Sequence, residues 1–235
     1  MSVSSRFIFS SLDVTRLQSR VEALLDEFAL ADVFRHLAEN SSRDAPYHNH
    51  YHTLCMIQHC GEGAQFHAFR RSRTRSLLVA AAFHDFDHSE GYASDDTNIA
   101  RAIEALKDRA SGLNLSSREL ADACAFVSVT QYPYLRDPST TGEAIIRDAD
   151  LMQPYETHSQ TLVQQYLGLK TEVERSGRPK LGNADFAEAL GEWYTKNAVW
   201  YSLWATDRAA RLDFAAQRTR LVNLIAQQVD TRVRL

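Results

Sequence analysis

Nine histidines occur in this 235-residue chain, and seven of them fall between His48 and His88. Surface histidines would scatter. These gather in P-Y-H-N-H-Y-H (46–52) and H-D-F-D-H (84–88). Imidazole nitrogens beside carboxylates suit a borderline-to-hard divalent cation such as Zn, Fe, Mn, Ni or Mg. On a helix, residues four apart share a face, so His48 and His52 point together and His50 points away. Asn49 caps the turn or packs beside them. His84 and Asp85 diverge by about 100°. Asp85 can therefore give one oxygen to the ion that His84 holds and turn the other toward a second ion. A further carboxylate must come from a distant segment, and A-I-I-R-D-A-D-L-M (144–152) offers one. Ile145, Ile146, Ala149 and Met152 make its apolar face. Asp150 stands about 40° from Ile146 and is expected inward, whereas Asp148, about 200° away, is expected outward. The candidate ligands are His52, His84, Asp85 and Asp150.

These groups need elements to position them. Leu77 to Phe83 is apolar on every side, the pattern of a buried helix. It is expected to run from about Thr74 to Asp87, ending in the H-D-F-D-H segment, where buried charge needs partners or a metal. Before it, helical periodicity covers Ser11 to Asn40 as two helices or one bent one. A helix follows from His48 to Cys60, broken at Gly61 and Gly63. After it, Ser94 reads as an N-cap with Asp95 and Asp96 in the first turn, and that helix ends near Gly112. Ser116 and Ser117 open another, which stops before Pro133. Glu143 to Met152 is a short helix stopped by Pro154, Tyr155 to Glu174 a long one, and Ala184 to Val233 the last helices. Period-two β-branched runs are missing, and Gly (9) and Pro (5) are sparse, so the fold is expected to be all-α. With no Pro/Gly/Ser-rich linker, residues 1–235 read as one domain.

H…H-D…D resembles the HD-domain superfamily of metal-dependent phosphohydrolases. P-Y-H-N-x-x-H followed by H-D-x-D-H is closer still to the class I cyclic-nucleotide phosphodiesterases. The match spans about 46–152 and implies a phosphodiesterase-like helical bundle. By this resemblance, His52, His84, Asp85 and Asp150 hold the first of two divalent ions, and Asp85 bridges to the second. A hydroxide bridging the two ions is then the nucleophile on a phosphoester, a (cyclic) nucleotide diester. His48 stands where the family protonates the leaving oxygen, His88 where a histidine sits near the phosphate. Asn98 echoes part of an Asn-x-Glu element and is a candidate substrate contact. The chain departs from the pattern in Ser89-Glu90-Gly91, where the family has Pro-Gly. It also lacks the purine-selecting glutamine, its counterpart region reading N-A-V-W-Y-S-L-W.

Composition narrows the partners. A net charge of −4 advertises no nucleic-acid surface. No apolar run reaches a membrane span, and the N-terminus lacks a signal-peptide core. Cys55, Cys60 and Cys124 lack metal-motif spacing and read as reduced thiols of a cytoplasmic protein. His36, His59, His67 and His158 read as ordinary. Trp193, Tyr194, Trp200, Tyr201 and Trp204 read as core, and Arg70 to Arg75 as a solvated helix start. A nucleotide phosphomonoesterase, an HD-type di-iron oxygenase and a non-catalytic metal- or nucleotide-binding module are the alternatives. Oligomeric state leaves no mark in the sequence.

Overall fold

The helix that is apolar on every side is the one the others surround. In the computed structural model, which describes residues 11–40, 45–155 and 159–228, Leu77 to Phe83 are each 3% exposed or less. They belong to α4 (Arg71–Phe83), against which α2 (Ala31–Asn40), α3 (His50–Phe66), α5 (Asp95–Arg109), α6 (Ser117–Ser128) and α7 (Thr141–Asp150) pack. Around them run α1 (Ser11–Glu27), a 3-10 turn (Gln153–Tyr155), α8 (Ser159–Arg175), α9 (Asn183–Asn197), α10 (Leu203–Arg211) and α11 (Phe214–Ala226). No strand occurs among the described residues, and no helix there is long and apolar enough to cross a membrane. The fold is all-α. His158 and the expected end of the last helix at Val233 lie outside the described residues.

Two apolar clusters result. The larger is built on α3, α4 and α7; the smaller joins α8, α9 and α11 through Leu162, Tyr166, Phe186, Leu190, Leu221 and Ile225. Trp200 packs against both.

Several boundaries differ from the sequence reading, each for a packing reason. Helix α3 does not break at Gly61 and Gly63. A Cβ there would come within 2.6 Å of Leu24 and 2.5 Å of Ile145, so these glycines let α1 and α7 approach α3 closely. Helix α4 stops at Phe83 rather than Asp87: His84 is its C-cap, and Asp87 takes a left-handed φ of 56°. Arg75 is not solvated. It is 9% exposed, pairs with Glu119 (3.0 Å) and donates to the carbonyls of Phe28, Ala29, Leu113 and Asn114. Tyr201, expected in the core, is 39% exposed, while Tyr194 and Trp204 are buried.

The start of α7 is anchored by Glu143, which accepts from Arg136 (2.7 and 2.9 Å) and from Ser139 N (2.7 Å). The Arg136 guanidinium outweighs burial and holds the Glu143 carboxyl at about 2. A folded value below the unfolded one contributes stability that is whole above about pH 4.5 and is lost as pH falls toward 2. Glu143→Gln should therefore lower stability at pH 7 by about 2 kcal/mol, after allowing for screening at the half-exposed arginine. Denaturant unfolding across pH 7 to 3 tests this: the gap between variant and wild type should narrow below pH 4.5, and a constant gap contradicts the assignment.

Candidate metal centre

The local chain explains how each imidazole arrives. Asn49 caps α3, its Oδ1 accepting from Tyr51 N (3.0 Å) and His52 N (3.2 Å). Its amide donates to Gln165 Oε1 (2.8 Å), and Gln165 Nε2 donates to Tyr47 O (2.8 Å). Helix α8 thus holds the segment before α3. The approach is close enough that a Cβ on Gly168 would stand 1.9 Å from Pro46 O. His48 precedes the cap, so it is not one turn below His52 on a shared helix face. It reaches the same place from the turn, with ring centroids 5.9 Å apart.

Four donors converge. His52 Nε2 lies 3.2 Å from His84 Nε2, 3.2 Å from Asp85 Oδ2 and 3.3 Å from Asp150 Oδ1. His84 Nε2 lies 2.8 Å from Asp85 Oδ2 and 4.0 Å from Asp150 Oδ1. His52 Nδ1–H donates to Gln153 Oε1 (3.0 Å) and His84 Nδ1–H to Ala81 O (2.8 Å). In the neutral form of each ring, those bonds put the proton on Nδ1 and turn the Nε2 lone pair toward the centre. Asp85 Oδ2 is buried between the two nitrogens, 2.8 Å from one and 3.2 Å from the other. Ligands around a cation at about 2.1 Å stand roughly 3.0–3.4 Å apart; His52, His84 and Asp85 come close to that spacing and could hold a divalent ion, with Asp150 beside them at 3.3 and 4.0 Å from the two nitrogens. The electrostatics agree. Burial pulls His52 down, but Asp150 and Asp85 outweigh it and push its pKa up to about 10. The centre calls for positive charge.

A second group lies alongside: His48, Asp85 and His88 also offer ligand atoms within 4.8 Å of one another. His48 Nδ1 is paired with Glu172 Oε2 in a very short contact, and Glu172 Oε1 accepts from Tyr47 N (2.7 Å) and His48 N (3.2 Å). Burial lowers His48, yet Glu172 and then Asp85 overcome it and raise the ring to about 9. His88 stacks on His48 with centroids 3.6 Å apart. Burial first, then the charge on His48, push His88 down to about 4. Its Nδ1 accepts from Glu90 N (3.1 Å), which leaves Nε2–H as a donor.

No protein-family model matches the chain, and no curated protein is similar to it in sequence. Among solved structures it is similar to LmjPDEB1, a Leishmania phosphodiesterase, in complex with IBMX. The TM-score is 0.59 at 17% identity, over 92% of this chain and 86% of that one. The fold is phosphodiesterase-like.

Two expectations change within this phosphodiesterase-like frame. Asn98 is 4% exposed, and its Oδ1 accepts from Ser89 N (3.1 Å). It ties the loop after H-D-F-D-H to α5, a positioning contact that the sequence reading did not foresee. Asp148 does not point outward. It is 0% exposed and accepts from Tyr201 N (3.0 Å) and Ser202 N (2.7 Å), which holds the entry to α10. Asp148→Ala should therefore destabilise the protein by about 1–3 kcal/mol by leaving the buried Ser202 N–H and the part-buried Tyr201 N–H without their acceptor. Asp150→Ala should cost metal content instead. Unfolding midpoints and metal analysis of the two variants separate these effects, and a stable Asp148→Ala protein contradicts the capping role.

The sequence reading missed Glu172, Gln153 and Gln165. Glu172 sits in T-E-V-E-R near the end of α8, where a glutamate reads as solvated. Only Gln153 carried a signal, three residues beyond Asp150.

Proposed function

We propose that the protein is a metal-dependent phosphohydrolase acting on a small phosphoester of nucleotide type, with His52, His84, Asp85 and Asp150 as ligands. The observation that carries this reading is the convergence of four electron-pair donors beside a histidine charged by a glutamate, on a phosphodiesterase-like fold. Divalent ions held there supply Lewis acidity and a water nucleophile at neutral pH. The chain's own residues do the rest. Glu172 fixes the His48 ring and favours its protonated form, so that Nε2–H can donate to the departing oxygen. His88, neutral and donating through Nε2–H, is suited to a phosphoryl oxygen. Gln153 and the Ala81 carbonyl orient His52 and His84. The reading treats the chain as one domain, since Glu172 comes from α8 while the ligands come from α3, α7 and the end of α4.

A di-iron oxygenase has one observation in its favour, the nearness of His48 and His88 to Asp85. Against it, His88 Nδ1 accepts from Glu90 N, which puts the ring's proton on Nε2 and leaves no lone pair there for an ion. Assay of the metal-loaded protein on bis-p-nitrophenyl phosphate, cyclic nucleotides and nucleoside monophosphates decides. Hydrolysis that EDTA abolishes is expected. Oxygen uptake without hydrolysis would favour the second reading.

A further inference from the structure

Helix α8 reaches the candidate centre twice within its last turn. Glu172 pairs with His48, and Arg175, three residues on, pairs with Glu90. Glu90 lies in the loop 89–93, where the chain departs from the phosphodiesterase pattern. At the start of that loop Ser89 N donates to Asn98 Oδ1 of α5 (3.1 Å). Its middle lies on α8. Glu90 takes a left-handed φ of 54° and Gly91 one of 93°. A Cβ on Gly91 would stand 2.2 Å from the Glu172 carbonyl oxygen, so the loop backbone is pressed onto the turn that carries the partner of His48.

A left-handed φ on a residue other than glycine costs about 1–2 kcal/mol and persists only where the surroundings hold it. For Glu90 the holding group is Arg175. Its guanidinium is paired with the Glu90 carboxylate and lies over the Tyr92 ring, 5.5 Å from the centroid. An ion pair on an open surface contributes little. These two side chains are only 30% and 27% exposed, and the arginine grips the loop on both sides of Gly91. The conformation so held makes one bond that matters to the centre: Glu90 N donates to His88 Nδ1 (3.1 Å). That bond leaves the His88 proton on Nε2, on the ring that stacks on His48.

We propose that Arg175 is a positioning residue: through Glu90 it holds the loop in the form that presents His88 as an Nε2–H donor, beside the His48 that Glu172 holds. One turn of α8 thereby orients both imidazoles. The inference rests on the reading of His88 as the contact to a phosphoryl oxygen, and it adds to that task two residues outside the ligand set. Without the pair, Glu90 relaxes out of the left-handed region and Nδ1 loses its donor. The ring is then free to turn and to take the other tautomer, so Nε2–H is no longer held toward the substrate.

Two measurements on the intact, zinc-loaded protein test this. In nitrogen-15 NMR of the histidine rings at neutral pH, with His88 assigned by its loss in His88→Gln, the wild type should show the Nε2–H tautomer alone. Arg175→Gln should shift the His88 Nδ1 resonance away from that of a hydrogen-bonded acceptor and bring in a share of the Nδ1–H form. In kinetics on bis-p-nitrophenyl phosphate, Arg175→Gln should raise KM about fivefold, the worth of one hydrogen bond, with kcat and metal content little changed. Gly91→Ala leaves both charges in place but forces the loop off Glu172, and it should reproduce both effects. Because Arg175 acts through Glu90, the double variant E90Q/R175Q should be no worse than either single one. Additive losses overturn the proposal, since Arg175 would then act on the substrate directly. Unchanged His88 resonances in Arg175→Gln overturn it too. Altered resonances with unchanged KM would uphold the positioning and remove His88 from the substrate, so the two readings fail separately.

Discussion

Asp85→Ala should lose metal and activity together. Asp85 Oδ2 stands 2.8 Å from His84 Nε2 and 3.2 Å from His52 Nε2, so it lies at the middle of the donor set. The same carboxylate belongs to the group with His48 and His88, so its removal also takes a ligand from any second ion. His84 and His48, against the opposing pull of burial, hold the Asp85 carboxyl well below the usual range, so it is ionised. Without it the set keeps two imidazoles and the more distant Asp150, one carboxylate short of what a hard cation needs. Metal analysis of the purified variant should give near-zero occupancy, and phosphoester turnover should fall to the uncatalysed background. Asp85→Asn keeps the shape but not the charge and should behave in the same way. Full occupancy in either variant would remove Asp85 from the ligand set.

His48→Ala should leave metal content intact and lower the rate by about 10²–10⁴-fold, the contribution of a positioned general acid. The loss should depend on the leaving group. An alkoxide such as a ribose 3′-oxygen needs the proton and should suffer most. A p-nitrophenolate leaves unaided and should suffer least. Glu172→Gln should show the same pattern, because the amide no longer favours the charged ring and its single oxygen can accept from His48 Nδ1–H or from the Tyr47 and His48 backbone N–H groups, not from both. Equal losses on both substrates would make His48 a positioning group for the phosphate. Unchanged rates in both variants would leave the pair with a structural role only.

The central helix was legible because its signal is composition rather than phase. Seven consecutive apolar residues can only be buried, whatever surrounds them. The all-helical class followed from the same kind of local evidence. The candidate donors were legible as residue types at chemical spacing, since His and Asp cluster where polar burial has a purpose.

Helix phase failed for Asp148. It assumed one buried face, and α7 has more than one, because α10 covers the side that a lone helix would show to water. The end of α4 could not be read either, since the backbone turns at His84 to Asp87 under the constraints of its neighbours, not of its own propensity. The sequence by itself determined an all-α chain with a buried helix leading into a set of histidines and aspartates. Only the tertiary structure decided that Glu172, 124 residues away from His48, is its partner, and that α8 is pressed against Pro46 so that the pair can form. The reason is physical: an ion pair between distant segments depends on how helices pack, and packing is set by the whole core rather than by the residues on either side of a glutamate.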